Sequence, residues 1–223
     1  MSRKTLLYTV IILCVASSTL AQGNLTRGKV FDRAGKWDYT FQTHYLGSSD
    51  VSRDGGSSIS FNDDLGWGFG FYYNFNEKFS LGLDFGWHSI QYDAVVVAGD
   101  DPSHTERYSN NLDTSKFGVA GNWNILEGRY TPYLNAGVGW AMLDTNIFAG
   151  WDGGCYWDPY GGYICGNYPT SYGTTATAYN VGIGGRFELT ETFFMRLGYE
   201  YSGVSLDAVE AQHQVRFDLG FFN

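Results

Sequence analysis

Large apolar and polar residues alternate along most of the chain from Trp37 onward. In residues 37–45, Trp37, Tyr39 and Phe41 occupy odd positions, and polar residues fill the even ones. Residues 65–75 and 79–88 keep this parity, with glycine or polar residues at nearly every even position. A period of two over this length predicts β-strands with one apolar face.

The same alternation predicts five more strands, which brings the total to eight. They cover residues 116–125, 133–142, 178–189, 193–202 and 211–222. Short connections at 76–78, 126–129 and 190–192 alternate with long ones at about 47–64, 91–111, 143–174 and 203–210. Tight turns at one end and long loops at the other are typical of an up-and-down barrel that spans an outer membrane.

The residues opposite the aromatic face distinguish a membrane barrel from a soluble one. That second face is mostly glycine, asparagine and serine, which is unusual for a strand surface in water because glycine weakens strands. Small residues fit the narrow interior of an eight-stranded barrel, and the aromatic face then meets lipid. We therefore predict an all-β fold, an eight-stranded antiparallel up-and-down transmembrane β-barrel. A soluble, lipocalin-like barrel is the alternative.

The N-terminus carries the features of an export signal. Arg3 and Lys4 precede an apolar stretch over residues 6–16, and small residues end the segment at Ala21. Residues 1–21 are predicted to be a cleaved signal peptide, followed by a periplasmic lead-in over 22–36 and the barrel with its four extracellular loops over 37–223. Export leads to an oxidising compartment, so Cys155 and Cys165 are expected to form a disulfide in the third loop.

Several segments resemble the small eight-stranded outer-membrane barrels of Gram-negative bacteria, the OmpA/OmpX/opacity-protein superfamily with its OmpW-like members. The resemblance lies in the strands 65–75 and 79–87 with their short turn, in residues 131–140, and in the last strand at 215–222. It implies location in the outer membrane, insertion by the barrel-assembly machinery, and contact with outer-membrane lipid and lipopolysaccharide. OmpW-like relatives also suggest a small channel.

Net charge narrows the range of partners. The formal charge is −9, with only 17% charged residues, which argues against nucleic-acid binding because that requires a basic face. Acidic residues are concentrated in the four long connections. They predict either a solvated acidic surface or sites for divalent cations beside lipopolysaccharide phosphates. We expect a monomer without a cofactor.

Charged residues also occur at the interior-facing positions of the strands. We predict either an ion-pair network that closes the lumen or the lining of a narrow pore, with Glu188 placed to meet Arg196 across a turn. His44 and His88 also face inward, but no metal site is predicted from them. The predicted lumen charges are Asp38, Asp84, Lys116, Arg186, Glu188, Arg196, Glu200, Arg216 and Asp218.

The third loop, 143–174, is rich in aromatic residues around its two cysteines. Tyrosine and tryptophan on a cross-linked frame suit a contact surface for adhesion or ligand capture, although a self-packed lid over the barrel mouth explains the same composition. The candidate contact residues are Trp151, Tyr156, Trp157, Tyr160 and Tyr163.

No catalytic constellation is found, including the His-x-Ser pair of lipid A-modifying barrels: His88 is followed directly by Ser89, and His213 by Gln214 and Val215. The sequence therefore predicts a non-enzymatic envelope protein whose acidic, aromatic loops serve envelope integrity, adhesion or ligand contact. The alternative is an OmpW-like channel for ions or small apolar solutes.

Overall fold

The computed structural model describes residues 33–52, 56–98, 101–158, 162–206 and 211–223. The predicted signal peptide and most of the lead-in lie outside these ranges. No helix in the described ranges is long and apolar enough to cross a membrane. The strands are β1 (Trp37–Leu46), β2 (Ser49–Ser52), β3 (Ser58–Phe61), β4 (Asp64–Asn74), β5 (Phe79–Ala98), β6 (Asp101–Asn124), β7 (Tyr130–Asp158), β8 (Gly162–Glu188), β9 (Phe193–Val204) and β10 (Gln212–Phe222).

Eight of these strands form a closed antiparallel ring in the order β1, β4, β5, β6, β7, β8, β9 and β10. The ring closes where β10 pairs with β1 from Asp38 opposite Phe222 to Leu46 opposite Gln214. Trp37 and Asn223 extend this seam by two backbone hydrogen bonds, at 3.0 and 3.1 Å. The eight predicted strands are confirmed as barrel strands, and closure leaves the ring without an open edge.

The two faces of the ring follow the parity seen in the sequence. On β1 and β4 the even-numbered residues are buried inside, and Trp37, Phe41 and Trp67 are exposed outside. Aromatic residues on the outer face also pack across neighbouring strands, with Trp67 stacked on Trp87 at 4.7 Å and Phe117 on Trp140 at 5.3 Å between ring centroids. Trp67 and Trp87 are register partners, as are Phe117 and Trp140, so these rings form bands on the outer face, as expected of an aromatic girdle.

The long connections are more regular than the sequence predicts. Residues 91–111 were expected to form a loop, but β5 and β6 stay paired as far as Ala98 opposite Asp101. Residues 143–174 likewise form a β-ribbon in which β7 and β8 pair out to Asp158 opposite Gly162. Alternation does not reveal these extensions, because a two-stranded ribbon with water on both sides needs no apolar face.

The end of the barrel that carries the long connections is called the loop end. Two further features occur there. The strands β2 and β3 form a hairpin inside the predicted loop 47–64, and β3 pairs with β5. Asn146, at φ 54°, occupies a bulge in β7, and its side-chain amide donates to the Asn111 carbonyl at 3.0 Å. The opposite end, with the tight turns and both strand termini of the seam, is the turn end.

Close approach of neighbouring strands requires glycine at Gly139. A Cβ atom there would overlap the Phe117 carbonyl and the backbone of Gly118 on the adjacent strand. A Cβ atom on Gly86 would meet nothing within 4 Å, because Gly86 borders an interior cavity. The barrel is therefore tight between β6 and β7 at Gly139 and open beside β5 at Gly86.

These two glycines give a matched pair of substitutions. Gly139→Ala should sharply reduce the yield of folded barrel, since the added methyl group collides with backbone that cannot rotate away. Gly86→Ala should fold as the parent does. The heat-modifiable band on a gel measures the folded fraction, and equal folded fractions for the two variants would contradict this account.

Candidate functional site

The interior of the barrel near the turn end holds a buried cluster of charges. Arg186 forms an ion pair with Asp38, and its Nε lies 3.3 Å from Glu188 Oε1. Arg33, which precedes the first strand, places its Nε 2.9 Å from the same Glu188 oxygen and donates from Nη2 to the Gly128 carbonyl at 2.8 Å. The Arg186 guanidinium also stacks over Phe194, 3.9 Å from the ring centroid. Two arginines thus meet two buried carboxylates here, and Glu77, at 3.6 Å from Arg33 Nε, adds a third at the edge of the cluster.

A second cluster lies in the middle of the barrel around Asp218. Arg196 Nε donates to Asp218 Oδ2 at 2.9 Å, and Arg216 Nε donates to Asp218 Oδ1 at 2.8 Å. Both arginines and Asp218 are almost completely buried. The Arg196 guanidinium faces the rings of Tyr72 and Tyr133 at 5.1 and 5.8 Å. Charge-assisted hydrogen bonds and aromatic faces replace the water that these groups would otherwise need.

Arg216 links this cluster to the next layer toward the loop end. Its Nη1 lies 3.1 Å from Glu200 Oε1 and 3.3 Å from Asp84 Oδ2. Gln214 donates to Glu200 at 2.7 Å, and the Tyr72 hydroxyl donates to Asp84. Since Asp84 is on β5 and Arg216 is on β10, these contacts cross the barrel from one side to the other.

The predicted lumen residues therefore fall into three groups. Asp38, Arg186 and Glu188 lie together at the turn end, and the middle network contains Arg196, Asp218, Arg216, Asp84 and Glu200. Lys116 stands apart, where its Nζ donates to the Ser202 hydroxyl at 3.1 Å.

One predicted pairing is wrong. Glu188 was expected to meet Arg196, but it lies opposite Phe194 in the strand register and pairs with Arg186 and Arg33. Arg196 is instead directly opposite Asp218 on β10, and its guanidinium contacts that carboxylate. The alternation of residues cannot predict the role of Arg33, because Arg33 precedes the first strand. The inward positions of Tyr72 and Tyr133 can be predicted, because they follow from strand parity.

Apolar side chains line the interior at the loop end. This apolar collar joins two packed clusters on opposite sides of the barrel, and Leu112 contacts both. The interior thus changes from ionised to apolar along the barrel axis. The collar consists of Leu46, Phe61, Ile90, Tyr92, Ala94, Ala141, Leu143, Ala176, Ala178 and Val204.

His44 and His88 lie between the ionised network and the collar. Their rings meet edge to face at 5.6 Å between centroids, and the Gln42 side-chain amide donates to His44 Nε2 at 3.2 Å. His88 Nδ1 is 4.0 Å from Asp64, too far for a hydrogen bond. In the described part of the chain, no group of three or more His, Cys, Asp or Glu side chains is arranged to hold a metal.

The β7–β8 ribbon carries the candidate contact residues outside the barrel. A disulfide joins Cys155 to Cys165, which are direct partners in the register. Trp157 opposes Tyr163 two residues further along, so this pair shares a face with the disulfide and with Trp151. The exposed fractions of Trp151, Trp157 and Tyr163 are 69%, 64% and 75%. The side chains of Tyr156 and Tyr160 lie outside the described part.

Carboxylates at the loop end mostly accept hydrogen bonds from nearby side chains. Asp144 accepts from the Ser171 hydroxyl at 2.7 Å and from the Asn146 backbone amide at 2.9 Å, and these bonds hold the pKa of Asp144 below its usual value. Asp113 accepts from Ser89 and from the Asn146 side chain. The expected divalent-cation sites stay a proposal.

A closed antiparallel ring of eight strands, apolar outside and ionised within, is the architecture of a transmembrane β-barrel. The family described as the outer membrane protein beta-barrel domain matches residues 10–221. The chain belongs to that family, and its location is the outer membrane of a Gram-negative bacterium.

Solved structures show the same fold at low sequence identity. OprG from Pseudomonas aeruginosa is 12% identical, with a TM-score of 0.53 over 85% of this chain and 96% of that one. Ail, the attachment invasion locus protein of Yersinia pestis, crystallised with the heparin analogue sucrose octasulfate, is 13% identical, with a TM-score of 0.50 over 85% of this chain and 99% of that one. Comparison with curated protein sequences gives no match.

Asp218 pairs with two arginines, so substitutions within this ion-pair network should destabilise the barrel unequally. Asp218→Asn should lower the free energy of unfolding by about 3–5 kcal/mol, because two buried arginines lose their shared charge. Arg196→Met should cost less, since Asp218 retains Arg216. Urea unfolding in lipid vesicles, followed by tryptophan fluorescence, measures both. The exposed Glu127→Gln should change little, and equal losses for Asp218→Asn and Arg196→Met would count against the network.

The hydrogen bond to Asp144 predicts a change in its titration. Ser171→Ala should raise the pKa of Asp144, because the strongest donor to the carboxylate is removed. A depressed pKa stabilises the fold above the unfolded-state pKa and loses that contribution as pH falls through the folded-state value. The variant should therefore show less acid destabilisation of the ribbon base. Carbon NMR titration of the Asp144 carboxyl decides the matter, and an unchanged midpoint would refute the assignment.

Proposed function

We propose that this protein is a non-enzymatic surface protein of the outer membrane that contacts a partner through its loop end. The observation that carries the proposal is the β7–β8 ribbon, where Trp151, Trp157 and Tyr163 are exposed on one face around a disulfide. A two-stranded ribbon is marginal alone, and the cross-link restricts its unfolded forms. Its aromatic side chains supply contact area at low entropic cost.

Charge indicates the kind of partner. Among the loop-end residues whose side chains the structure describes, eight are acidic and one, Arg107, is basic. Cationic groups are attracted both to carboxylates and to the faces of tryptophan rings. We therefore propose a partner with exposed Lys or Arg side chains. The acidic residues are Asp50, Asp63, Asp64, Asp93, Glu106, Asp113, Asp144 and Asp152.

Two other kinds of contact fit the loop end less well. Ail binds a polysulfated heparin analogue, whereas an acidic loop end repels sulfate groups. Lipopolysaccharide phosphates would be repelled similarly unless divalent cations bridged them to the carboxylates. Lipid contact along the outer apolar belt is compatible with all of these partners.

The aromatic face gives a direct test. With the protein in nanodiscs at physiological salt, a lysine-rich peptide should bind and an acidic peptide of equal length should not. Replacing both Trp157 and Tyr163 by alanine should weaken binding by roughly five- to tenfold, the loss of two cation–π contacts. Tyr108→Ala, on the β5–β6 extension, is the matched control. Binding that ignores peptide charge, or is unchanged in the double variant, would defeat the proposal.

A small channel is the second candidate, because the interior contains a cavity bordered by the apolar collar. The ion pairs that cross the barrel at Arg216 and Asp84 argue for a lumen closed to ions. In planar bilayers the parent protein should stay silent, and Arg216→Ala should produce openings by removing the bridge. Steady openings of the parent protein would favour the channel, with the ion pairs as its lining.

A further inference from the structure

Lys116 is the one predicted lumen charge outside both ion-pair clusters. It points inward from β6 next to an interior cavity of about 70 Å³, whose lining also includes His44, His88 and Ser202. Its ammonium donates to the Ser202 hydroxyl at 3.1 Å. Within the described ranges no carboxylate oxygen lies within 4.0 Å of Nζ. An ammonium group has three donors, so two remain for a group in the cavity.

The nearby carboxylates are already occupied. Glu200 binds Arg216 at 3.1 Å and accepts from Gln214 at 2.7 Å. Asp84 binds Arg216 at 3.3 Å and accepts from the Tyr72 hydroxyl. Both carboxylates line the same cavity as Lys116, and each contacts Arg216 instead of Lys116. A buried ammonium without a close counter-charge is unfavourable unless another anion approaches it.

Apolar side chains line the space on the loop-end side of the Lys116 ammonium. A second cavity of about 30 Å³ shares His88, Lys116 and Ser202 with the first and continues into the apolar collar. Its walls include Leu46, Ile90, Leu112, Leu143 and Val204. The Lys116 ammonium and these aliphatic side chains together form a site with one polar end and one apolar end.

We propose that this site binds a small monocarboxylate with a short apolar chain. The carboxylate would accept hydrogen bonds from Lys116 Nζ and the Ser202 hydroxyl, and the chain would lie among the collar residues. One water needs about 10–15 Å³ of such space, so the two cavities together suit a carboxylate with three or four carbons. Water alone fills the volume but brings no negative charge into contact with Lys116. The site is independent of the proposed contact surface outside the barrel.

Gly86 allows the cavity to be filled without removing any charge. A Cβ atom there meets nothing within 4 Å, so Gly86→Leu should occupy the cavity beside Lys116, its direct partner in the β5–β6 register, and keep the charge of Lys116. Lys116→Met removes the charge at nearly constant length. Lys78→Met, at a half-exposed turn lysine, makes the same change in net charge far from the cavity.

The test is a titration of protein extracted from outer membranes with butyrate labelled at its carboxyl carbon, followed by NMR and calorimetry. The parent and Lys78→Met proteins should bind saturably and alike. Lys116→Met should bind at least about tenfold more weakly, the usual cost of a lost charge-assisted contact. Gly86→Leu should lose binding. Butyramide, which has the same shape without the charge, should bind at least about tenfold more weakly to the parent.

Three results would overturn the proposal. Absence of saturation of the parent up to about 50 mM butyrate would leave water as the occupant. Binding to Gly86→Leu equal to that of the parent would place the ligand elsewhere. Equal binding of butyramide and butyrate would remove the role of Lys116. A heat-modifiable band establishes folding of each variant, and Gly86→Leu keeps the test decisive if Lys116→Met does not fold.

Discussion

The constraint on which the structure depends is that backbone amides and carbonyls inside a hydrocarbon layer must pair within the protein. The ring meets it only because β10 returns to β1, where nine residue pairs and the Trp37–Asn223 bonds complete the circle. Closure with eight strands then fixes a narrow interior. That width explains why strands approach so closely at Gly139, and why each large interior side chain must share its layer with small ones.

The two halves of this narrow interior are filled by different kinds of side chain. Near the turn end and in the middle of the barrel, arginine side chains contact carboxylates and aromatic rings of other strands, so each of these charges has a partner. Near the loop end, leucine, isoleucine and alanine pack without polar groups. The change occurs at the level of His44, His88 and Lys116. Polar groups that belong to neither half meet there, which is why the cavity lies at this level.

The sequence predicts the barrel well because lipid outside and a packed interior impose opposite chemistry on alternate residues. Strand parity alone therefore places Asp38, Arg196 and Asp218 inside the barrel. Parity does not specify partners: the choice of Asp218 rather than Glu188 for Arg196 depends on register across β9 and β10. It also fails outside the membrane, where the ribbons need no apolar side. Arg33 could not be found at all, because its partners are far along the chain and no period marks it.

The interior contacts also bear on how fast the barrel can assemble. Arg186 and Asp38 are 148 residues apart, and Arg216 and Tyr72 are 144 apart. Contacts of such separation form only after the chain entropy of a very long loop has been lost. Since β10 supplies both Arg216 and Asp218, the charges of Arg196, Asp84 and Glu200 lack their main partners until the last strand arrives. Pairing of the final strand therefore completes the central ion-pair network and closes the ring in the same step. For this reason we expect folding of the barrel to be slow and cooperative.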